Sequence, residues 1–328
     1  GVKNPTLWSP ENPYLYDMSI TLSQNGKVID QVKSYTAFRK ISVEKDKNGI
    51  LRMCLNNKPL FHYGPLDQGW WPDGLYTAPT DEALLYDIKK TKEWGFNMIR
   101  KHVKVEPARW YYHCDKEGIL VWQDMPSGDM GNRWEPHKYN GGTDKERSVE
   151  SVANYYQEWK EIMDLGVSHP SIVVWVPFNE AWGQFDTEKV VAWTKAYDPS
   201  RLVNPASGGN HRPCGDILDL HNYPGPDMFL FDAQRVTVLG EYGGIGLPLE
   251  NHLWWNKRNW GYIQFKNSDE VTAEYVKYAN ELKGFVKRGF SAAVYTQTTD
   301  VEGEVNGLMT YDRKVIKINE AKVKAANQ

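Results

Sequence analysis

Eight short apolar segments recur along most of the chain, and spacers long enough for a helix separate most of them. Strands that are apolar along their whole length and alternate with helices form parallel sheets covered by helices on both faces. Eight such units over about 250–280 residues favour a (β/α)8 barrel, an α/β fold, over an open doubly wound sheet. The predicted strands are Leu60–Gly64, Asn97–Lys101, Ile119–Asp124, Ser171–Val176, Leu202–Asn204, Ile217–His221, Val236–Glu241 and Phe290–Thr296.

Amphipathic stretches predict five helices between these strands. Thr80 or Asp81 suits the N-cap of the first helix, because a short side-chain oxygen there accepts a backbone N–H. Gly95 and Gly118 suit the ends of the first two helices, because glycine adopts the left-handed conformation without strain. The predicted helices are Thr80–Trp94, Pro107–Glu117, Arg147–Leu165, Asp186–Ala196 and Asp269–Arg288.

The first 45 residues form a separate pattern. Tyr14–Leu22 and Val28–Phe38 alternate in hydropathy on either side of Asn25-Gly26, which is a hairpin turn signal. Two or three strands do not form a stable domain alone. We therefore expect residues 1–45 to be the last part of a β-sandwich, packed on the outside of a barrel that spans residues 46–328.

Composition excludes several classes of function. Lys and Arg number 39 against 42 Asp and Glu, so the net charge of −3 gives no excess of positive charge for nucleic acid or an anionic membrane. The mean hydropathy is −0.63, and no run approaches the ~18 apolar residues of a membrane span. No apolar leader opens the chain, so we expect no signal peptide in it. Cys54, Cys114 and Cys214 lack the paired spacing of a disulfide framework or a zinc site.

Sequence motifs for cofactors and metals are also missing. No Gly-x-Gly-x-x-Gly or Walker sequence follows a strand, and no His-Glu-x-x-His or Gly-x-Ser-x-Gly sequence occurs. We therefore expect neither a cofactor nor a metal. A divalent ion bound at the active site would instead favour a metal-dependent barrel hydrolase.

Polar residues follow the predicted strands at their carboxyl ends, where such barrels place their working residues. Acidic and amide side chains dominate this set, and 13% of the chain is aromatic. Two carboxylates among aromatic rings at a barrel mouth are the groups that glycoside hydrolysis requires. The strand-end residues are Asp67, His102, Asp124, Asn179, Glu180, Asn204, His221, Tyr223, Glu241, Tyr295 and Gln297.

Glu180 and Glu241 are the strongest candidates for catalysis. Each follows a buried apolar run, and a carboxylate in that position is costly unless it reaches the barrel mouth or is hydrogen-bonded. Either residue alone could cap a loop or pair with an arginine. Two of them, three barrel units apart, favour a catalytic pair.

The segments around these residues resemble glycoside hydrolase family 2, which includes β-galactosidases, β-glucuronidases and β-mannosidases. The resemblance implies that Glu180 is the acid/base, that Glu241 is the nucleophile, and that Asn179 binds the sugar 2-hydroxyl. It also implies that Tyr223 holds the nucleophile, and that an immunoglobulin-like domain precedes the barrel. The family's N-terminal sugar-binding jelly roll, which would pack near the barrel, is not in this sequence. The matching segments are Leu7–Tyr16, Gly95–His102, Asp115–Asp124, Ser168–Glu180 and Gly240–Gly244.

Other candidate substrate contacts have structural alternatives. His102 and His221 could contact sugar hydroxyls or be structural residues of the barrel rim. Asp67 and Asp124 could bind sugar hydroxyls or cap loops. Gly64–Trp71 replaces the family's Asn-Arg-His-Glu, and Tyr295 stands where many members have Trp.

Tryptophans in the predicted loops provide flat apolar faces for sugar rings. We expect two or three of these to line the cleft and the others to anchor loops. Those in predicted helices belong to the core. The loop tryptophans are Trp70, Trp71, Trp134, Trp254, Trp255 and Trp260, and the helical ones are Trp94, Trp110, Trp159 and Trp193.

These observations predict a retaining exo-glycosidase that is β-galactosidase-like and acts by double displacement on a carbohydrate. Its carboxyl groups should lie ~5–5.5 Å apart, and the charge of Glu241 should raise the pKa of Glu180. β-Glucuronidase is disfavoured, because Glu304-Val-Asn306 stands where that group carries Asn-x-Lys to hold a carboxylate. β-Mannosidase, β-xylosidase, α-L-arabinosidase and a non-catalytic carbohydrate-binding barrel stay open. A periplasmic or secreted location is compatible with this activity.

Overall fold

Fifteen strands and six helices make up the chain, and the computed structural model describes residues 1–328. The strands are β1 (Tyr16–Gln24), β2 (Lys27–Thr36), β3 (Ile41–Lys45), β4 (Leu51–Leu55), β5 (Lys58–Pro59), β6 (His62–Asp67), β7 (Met98–Lys101), β8 (Leu120–Asp124), β9 (Ile172–Val176), β10 (Leu202–Val203), β11 (Ile217–His221), β12 (Val236–Gly243), β13 (Ile245–Gly246), β14 (Ile263–Gln264) and β15 (Phe290–Thr296). The helices are α1 (Asp81–Glu93), α2 (Ala108–Glu117), α3 (Val149–Gly166), α4 (Thr187–Tyr197), α5 (Ser268–Arg288) and α6 (Glu320–Asn327). No helix is long and apolar enough to cross a bilayer.

Eight of these strands form one parallel sheet in the order β10-β9-β8-β7-β6-β15-β12-β11. Its two edge strands approach each other, since the Asp216 N–H donates to the Val203 carbonyl at 2.9 Å and the Gly208 N–H donates to the Asp219 carbonyl at 3.0 Å. The sheet is thus nearly closed. The predicted TIM barrel is confirmed, and its strands coincide with the eight apolar segments.

Helices cover only part of the barrel. Helices α1 to α4 follow the first four barrel strands, and α5 precedes the last one. The connections 204–216 and 222–235 contain no helix. Both are rich in proline and glycine, including Pro205, Gly208 and Pro224, and these residues interrupt helices.

The helix boundaries follow from local side chains. Thr80, rather than Asp81, is the N-cap of α1, and its hydroxyl accepts the Ala83 N–H at 3.1 Å. Gly118 ends α2 in the left-handed conformation with φ 78°. An N-cap side chain such as that of Thr80 stabilises a helix by about 1 kcal/mol.

The N-terminal residues pack against the amino ends of the barrel strands, on the side opposite the predicted active site. Trp8 is fully buried and donates to the Asp115 carbonyl at 2.8 Å. Arg39 donates to the carbonyls of Pro170 and Ile172 at 3.0 and 2.9 Å, beside the start of β9. This position agrees with the expected packing outside the barrel and away from the carboxylates.

The predicted hairpin is formed by β1 and β2, which pair antiparallel around Asn25 and Gly26, both with positive φ. The small sheet β3-β4-β5 follows it. Its strands β3 and β4 pair with each other although they lie on opposite sides of the predicted boundary between residues 45 and 46. A domain boundary at residue 45 therefore stays a prediction. The hairpin leaves apolar side chains exposed, namely Met18, Ile20, Leu22, Val28, Ile29 and Val32.

Candidate active site

Glu180 and Glu241 meet at the mouth of the barrel. Glu241 lies on β12, the seventh barrel strand, and Glu180 follows β9, the fourth. A carboxylate oxygen of Glu180, one of Glu241 and a ring nitrogen of His221 all lie within 4.8 Å of one another. The Glu180 side chain is 19% exposed and that of Glu241 is 6% exposed, so Glu180 is nearer to solvent.

Two donors fix the carboxylate of Glu241. The phenol of Tyr223 donates to Oε2 at 2.6 Å, and Arg100 Nη1 donates to Oε1 at 3.2 Å. Burial and the charge of Glu241 hold the pKa of Tyr223 well above its usual value, so this phenol stays a hydrogen-bond donor. The carboxylate is thus oriented by one neutral and one cationic group.

Arg100 is a central residue of the site that the sequence analysis did not single out. Its side chain is fully buried on β7 and makes a bidentate pair with Asp124 at 3.0 and 2.9 Å. Burial lowers the pKa of Arg100, but the charges of Asp124 and Glu241 outweigh it and keep the pKa above the ordinary value. The sequence feature that could have identified Arg100 is its place as a charged residue within an apolar strand. A buried cation needs anionic partners, so such a residue indicates a cluster of carboxylates.

Asn179 has an unsatisfied donor in this site. Its Oδ1 accepts from Arg100 Nη2 at 2.7 Å, whereas its buried Nδ2 has no hydrogen-bond partner. An unpaired buried donor costs about 1–3 kcal/mol, which a ligand hydroxyl beside it would recover.

The pKa of Glu180 is shifted in the direction opposite to the predicted one. Burial raises its pKa, but a 2.9 Å hydrogen bond with His221 and the charge of that residue outweigh burial, so the pKa lies below its ordinary value. The expectation that the pKa of Glu180 is raised is therefore wrong. The physical reason is that His221 Nδ1 contacts both carboxylates, at 2.9 Å from Glu180 and 3.5 Å from Glu241.

The two predicted aspartates serve neighbouring protein groups. Asp124 accepts from Arg100 and from the Val103 N–H at 3.2 Å, and it contacts His102 Nδ1 at 3.2 Å. Asp67 binds Lys101 Nζ at 2.9 Å and the Gly69 N–H at 2.8 Å. Of the two alternatives for these residues, loop and side-chain support fits better than contact with sugar hydroxyls.

The two predicted histidines differ in access to the cavity. The His102 side chain is 7% exposed and lies against the ring of Trp182, with centroids 5.7 Å apart. The His221 side chain is 0% exposed, so it contacts the carboxylates rather than a ligand.

The prediction that Tyr295 contacts the substrate is wrong, because its side chain does not face the site. It is 1% exposed and packs edge-on against Tyr242 and Tyr275, beneath α5. Neighbouring residues of a strand point to opposite faces, and the next residue, Thr296, is the one whose hydroxyl lies 2.7 Å from Tyr223. A tyrosine at a strand end was therefore assigned to the wrong side of the strand.

Some of the loop tryptophans form an open cleft of 610 Å³. It is connected to Glu241 by ring contacts: Trp260 packs edge-on against Tyr262, which stacks on Tyr223 with centroids 3.6 Å apart. Trp255 and Trp260 are 47% and 44% exposed. The cleft is lined by Trp254, Trp255, Arg258, Trp260, Glu302 and Gly303.

The remaining tryptophans support loops or fill the core. Trp70 packs against Trp254, and Trp71 is buried beneath Arg313. Trp134 is 44% exposed and donates to the Gly208 carbonyl at 2.9 Å. Of those predicted in the core, Trp94, Trp110 and Trp159 are buried and Trp193 is half-buried.

Glu304 adds a third acidic group near the catalytic candidates. Burial raises its pKa, and the charge of Glu241 adds to that effect, although hydrogen bonds from Asn306 and Gln68 oppose it. From the sequence, this residue was predicted only to disfavour a uronate. The charges of Glu304 and Glu241 therefore influence each other.

The three donor atoms of Glu180, His221 and Glu241 are also close enough to share a cation. Both carboxylates already have cationic or proton-bearing partners, because Arg100 binds Glu241 and His221 binds Glu180. Side chains of the chain itself therefore already contact both carboxylates.

A nearly closed parallel barrel with two carboxylates at the ends of its fourth and seventh strands defines the class of α/β-barrel glycoside hydrolases. The profile described as "Glycosyl hydrolases family 2, TIM barrel domain" matches residues 51–223, and that described as "Glycosyl hydrolases family 2" matches residues 1–39. The chain belongs to glycoside hydrolase family 2.

Curated relatives are β-galactosidases. The chain is 30% identical over 222 residues to that of Lactococcus lactis subsp. lactis, covering 67% of this chain and 21% of the relative. It is 26% identical over 287 residues to that of Leuconostoc mesenteroides subsp. mesenteroides, covering 87% and 25%. The chain thus spans about a fifth to a quarter of the length of these relatives.

Solved structures share the fold at lower identity. The β-D-glucuronidase of Dictyoglomus thermophilum gives a TM-score of 0.75 at 17% identity, covering 99% of this chain and 59% of that structure. The β-glucuronidase of Parabacteroides merdae gives 0.73 at 15% identity, covering 95% and 43%. A putative β-galactosidase from Bacteroides fragilis gives 0.70 at 21% identity, covering 99% and 50%.

Proposed function

We propose that this barrel is the catalytic part of a retaining exo-glycosidase that acts on β-galactosides through a covalent glycosyl-enzyme. The observation that carries the proposal is the approach of the Glu180 and Glu241 carboxylate oxygens to within 4.8 Å. Retaining enzymes hold these groups ~5–5.5 Å apart, whereas inverting enzymes leave ~6.5–9.5 Å for a water molecule.

Glu241 is the proposed nucleophile. It is the more buried of the two, and hydrogen bonds from Tyr223 and Arg100 fix both of its oxygens. In the first step, a Glu241 oxygen bonds to the anomeric carbon as the bond to the leaving oxygen breaks.

Glu180 is the proposed acid/base. It is the more exposed carboxyl group, as a group that meets the leaving oxygen must be. It gives its proton to that oxygen in the first step. In the second step it takes a proton from water, while the water oxygen replaces Glu241 at the anomeric carbon.

Asn179 is the proposed ligand of the sugar 2-hydroxyl. Arg100 holds its oxygen, so the free Nδ2 has a fixed direction beside the carboxylates. Hydrogen bonds to the 2-hydroxyl strengthen as the sugar gains oxocarbenium character, so this contact would favour the transition state over bound substrate.

The choice of a neutral sugar depends on Glu304. A glucuronide would bring a third carboxylate close to Glu241 and Glu304, with unfavourable charge repulsion. The β-galactosidase relatives support a galactoside. A glucuronide is the second candidate, because solved structures with this fold include β-glucuronidases.

The tryptophan cleft beside Tyr262 suits the leaving group of the substrate. Its exposed rings offer stacking faces, and Arg258 and Glu302 offer polar contacts. We infer that further sugar residues of an oligosaccharide bind there.

Nitrophenyl glycosides of galactose, glucuronic acid, mannose, xylose and arabinose test the proposal. The galactoside should give the highest kcat/KM, and NMR of the first product should show the starting anomeric configuration. A 2-fluoro glycoside should label Glu241, as found by peptide mass. An inverted first product, or a label on another residue, would contradict the proposed mechanism.

A further inference from the structure

We propose that His221 is a positioning residue that shares one proton with Glu180. The pair thereby keeps a proton available for the leaving group at pH values at which a lone carboxyl group is ionised. The inference rests on the proposed function, because it concerns the acid/base of that reaction. It assigns His221 a role other than contact with sugar.

Both ring nitrogens of His221 are engaged by the protein. Nδ1 lies 2.9 Å from Glu180 Oε1, and Nε2 lies 2.7 Å from Ser207 Oγ. Gly208 covers the ring, since a Cβ at that position would lie 2.2 Å from Nδ1. The His221 side chain is also 0% exposed, so the imidazole has no free face for a substrate hydroxyl.

Ser207 determines which nitrogen of His221 carries a fixed hydrogen. Its hydroxyl donates to Asp219 Oδ2 at 2.6 Å, so it accepts from His221 Nε2. Arg100 Nη1 is also 3.4 Å from Nε2, but it donates to the Gly240 carbonyl and to Glu241, each at 3.2 Å. The remaining proton of the pair therefore lies between Nδ1 of His221 and Oε1 of Glu180.

The charges around the imidazole favour retention of that proton. Glu241 Oε2 lies 3.5 Å from Nδ1, and Asp219 Oδ1, which is buried without a partner, lies 4.0 Å from Nε2. Arg100 is the opposing cation. Three carboxylates thus face one guanidinium and one imidazole. The titratable and charged groups that face His221 are Arg100, Glu180, His211, Asp219 and Glu241.

The direction of the pKa shifts agrees with this charge balance. Burial lowers the pKa of His221, but the charge of Glu241 and the hydrogen bond with Glu180 raise it above its ordinary value. His211, by contrast, has its pKa lowered to about 4 by burial and Arg235. The His221–Glu180 pair should thus lose its last proton above the ordinary histidine value of about 6.5, whereas a free Glu titrates near 4.3.

The shared proton is used once and restored once in each catalytic cycle. Glu180 gives it to the leaving oxygen, and His221 stays neutral with its Nε2 hydrogen on Ser207. Glu180 then takes a proton from the attacking water, and the pair regains its shared proton. No other proton source is needed, so the balance closes within the two proposed steps.

The test compares kcat/KM across pH for the wild type and His221→Gln, with two galactosides. An alkyl galactoside needs protonation of its leaving group, and a dinitrophenyl galactoside does not. For the alkyl substrate, the basic limb of the profile should move to lower pH by about one unit or more in the variant. For the dinitrophenyl substrate, the limb should not move.

A matched control is His113→Gln, which removes another histidine–carboxylate pair, His113–Asp81 at 2.9 Å, outside the site. Its profile should equal that of the wild type. An equal loss on both substrates without a shift of the limb would mean that His221 only supports the fold, and would overturn the inference. If the wild type cleaves neither galactoside, or if Glu180→Ala leaves alkyl galactoside cleavage unchanged, then the proposed function fails instead.

A second measurement does not need a folded His221 variant. Histidine ¹⁵N NMR of the wild type should show Nε2 protonated throughout and Nδ1 titrating above pH 6.5. In Glu180→Gln, the midpoint for His221 should fall, because the carboxylate partner is gone. A midpoint that does not respond to Glu180→Gln would show that the two residues do not share a proton.

Discussion

Tyr223 donates its phenolic hydrogen to Glu241 over 2.6 Å, and this bond joins the loop after one barrel strand to the next strand. The same phenol oxygen lies 2.7 Å from Thr296, and its ring stacks on Tyr262. Contacts with Thr296 and Tyr262 therefore hold the phenol of Tyr223 against the carboxylate oxygen of Glu241. This arrangement orients Glu241 before any substrate arrives.

Tyr223→Phe tests that orientation. The variant keeps the stacked ring and loses only the hydrogen bond to a charged oxygen. Such bonds contribute about 1.5–3 kcal/mol, so kcat/KM should fall about 10- to 100-fold. The control is Tyr242→Phe, which removes a buried phenol that bonds to Tyr63 instead. It should leave kcat/KM unchanged, and an equal loss in both variants would contradict a specific role of Tyr223.

Arg100 is predicted to be a main determinant of stability as well as of the site. Arg100→Met leaves Asp124 and Glu241 as buried charges without their cation. Loss of one partner from a buried pair costs about 3–5 kcal/mol, measurable as the free energy of unfolding in urea. Arg109→Met is the control, because the Arg109–Asp81 pair is exposed and should contribute little to stability. Similar losses in the two variants would refute the prediction.

Much of the architecture was predictable because it depends on local sequence. Apolar runs located all eight barrel strands, and Thr80 and Gly118 marked helix ends. The approach of Glu180 and Glu241 was predictable for a related reason. The carboxyl ends of parallel strands meet at one edge of a sheet, so residues at two such ends share the same mouth.

Other parts of the site depend on contacts between distant positions. Arg100 is bound by residues 24, 79 and 141 positions away along the chain, and no local pattern selects them. The pKa of Glu180 depends on His221, 41 positions away, and not only on Glu241. Tyr295 was assigned to the cavity because the sequence shows where a strand ends and leaves open which face its last residues take.

Asp198 should make stability depend on pH in the acid range. Burial raises its pKa, but Arg201 and hydrogen bonds from Ser200 and Trp175 lower it to about 2 from the ordinary 3.8. A folded-state pKa below the unfolded value stabilises the protein above the unfolded pKa, and this stability is lost as pH falls toward 2. Asp198→Asn should therefore cost up to about 2 kcal/mol at pH 7 and little near pH 2. Urea unfolding at both pH values measures this, and a cost that does not vary with pH would contradict it.

Glu304 should select against acidic sugars. Glu304→Gln removes a negative charge coupled to Glu241 and keeps the shape of the side chain. The ratio of kcat/KM for a glucuronide to that for a galactoside should therefore rise, by about tenfold for 1.4 kcal/mol of repulsion removed. Glu250→Gln, at an exposed position, is the control and should leave the ratio unchanged. A ratio that is the same in all three proteins would mean that Glu304 does not face the sugar.

Azide should distinguish the roles of Glu180 and Glu241. Glu180→Ala keeps the nucleophile, so a substrate with a good leaving group should still form the glycosyl-enzyme. The next step then lacks its general base, which gives a burst followed by a slow steady rate. Azide needs no base, so it should restore turnover and yield a glycosyl azide with the starting anomeric configuration.

Glu241→Ala should behave in the opposite way. It lacks the nucleophile, so no glycosyl-enzyme forms, and azide can attack only the intact substrate from the vacated side. The product would then have the opposite anomeric configuration. Because the Glu180 and Glu241 oxygens lie within 4.8 Å, either cavity left by alanine adjoins the same anomeric carbon, and only the configuration of the product separates the two roles. The reverse assignment of products would exchange acid/base and nucleophile, and absence of rescue in both variants would remove the support for this pair as catalysts.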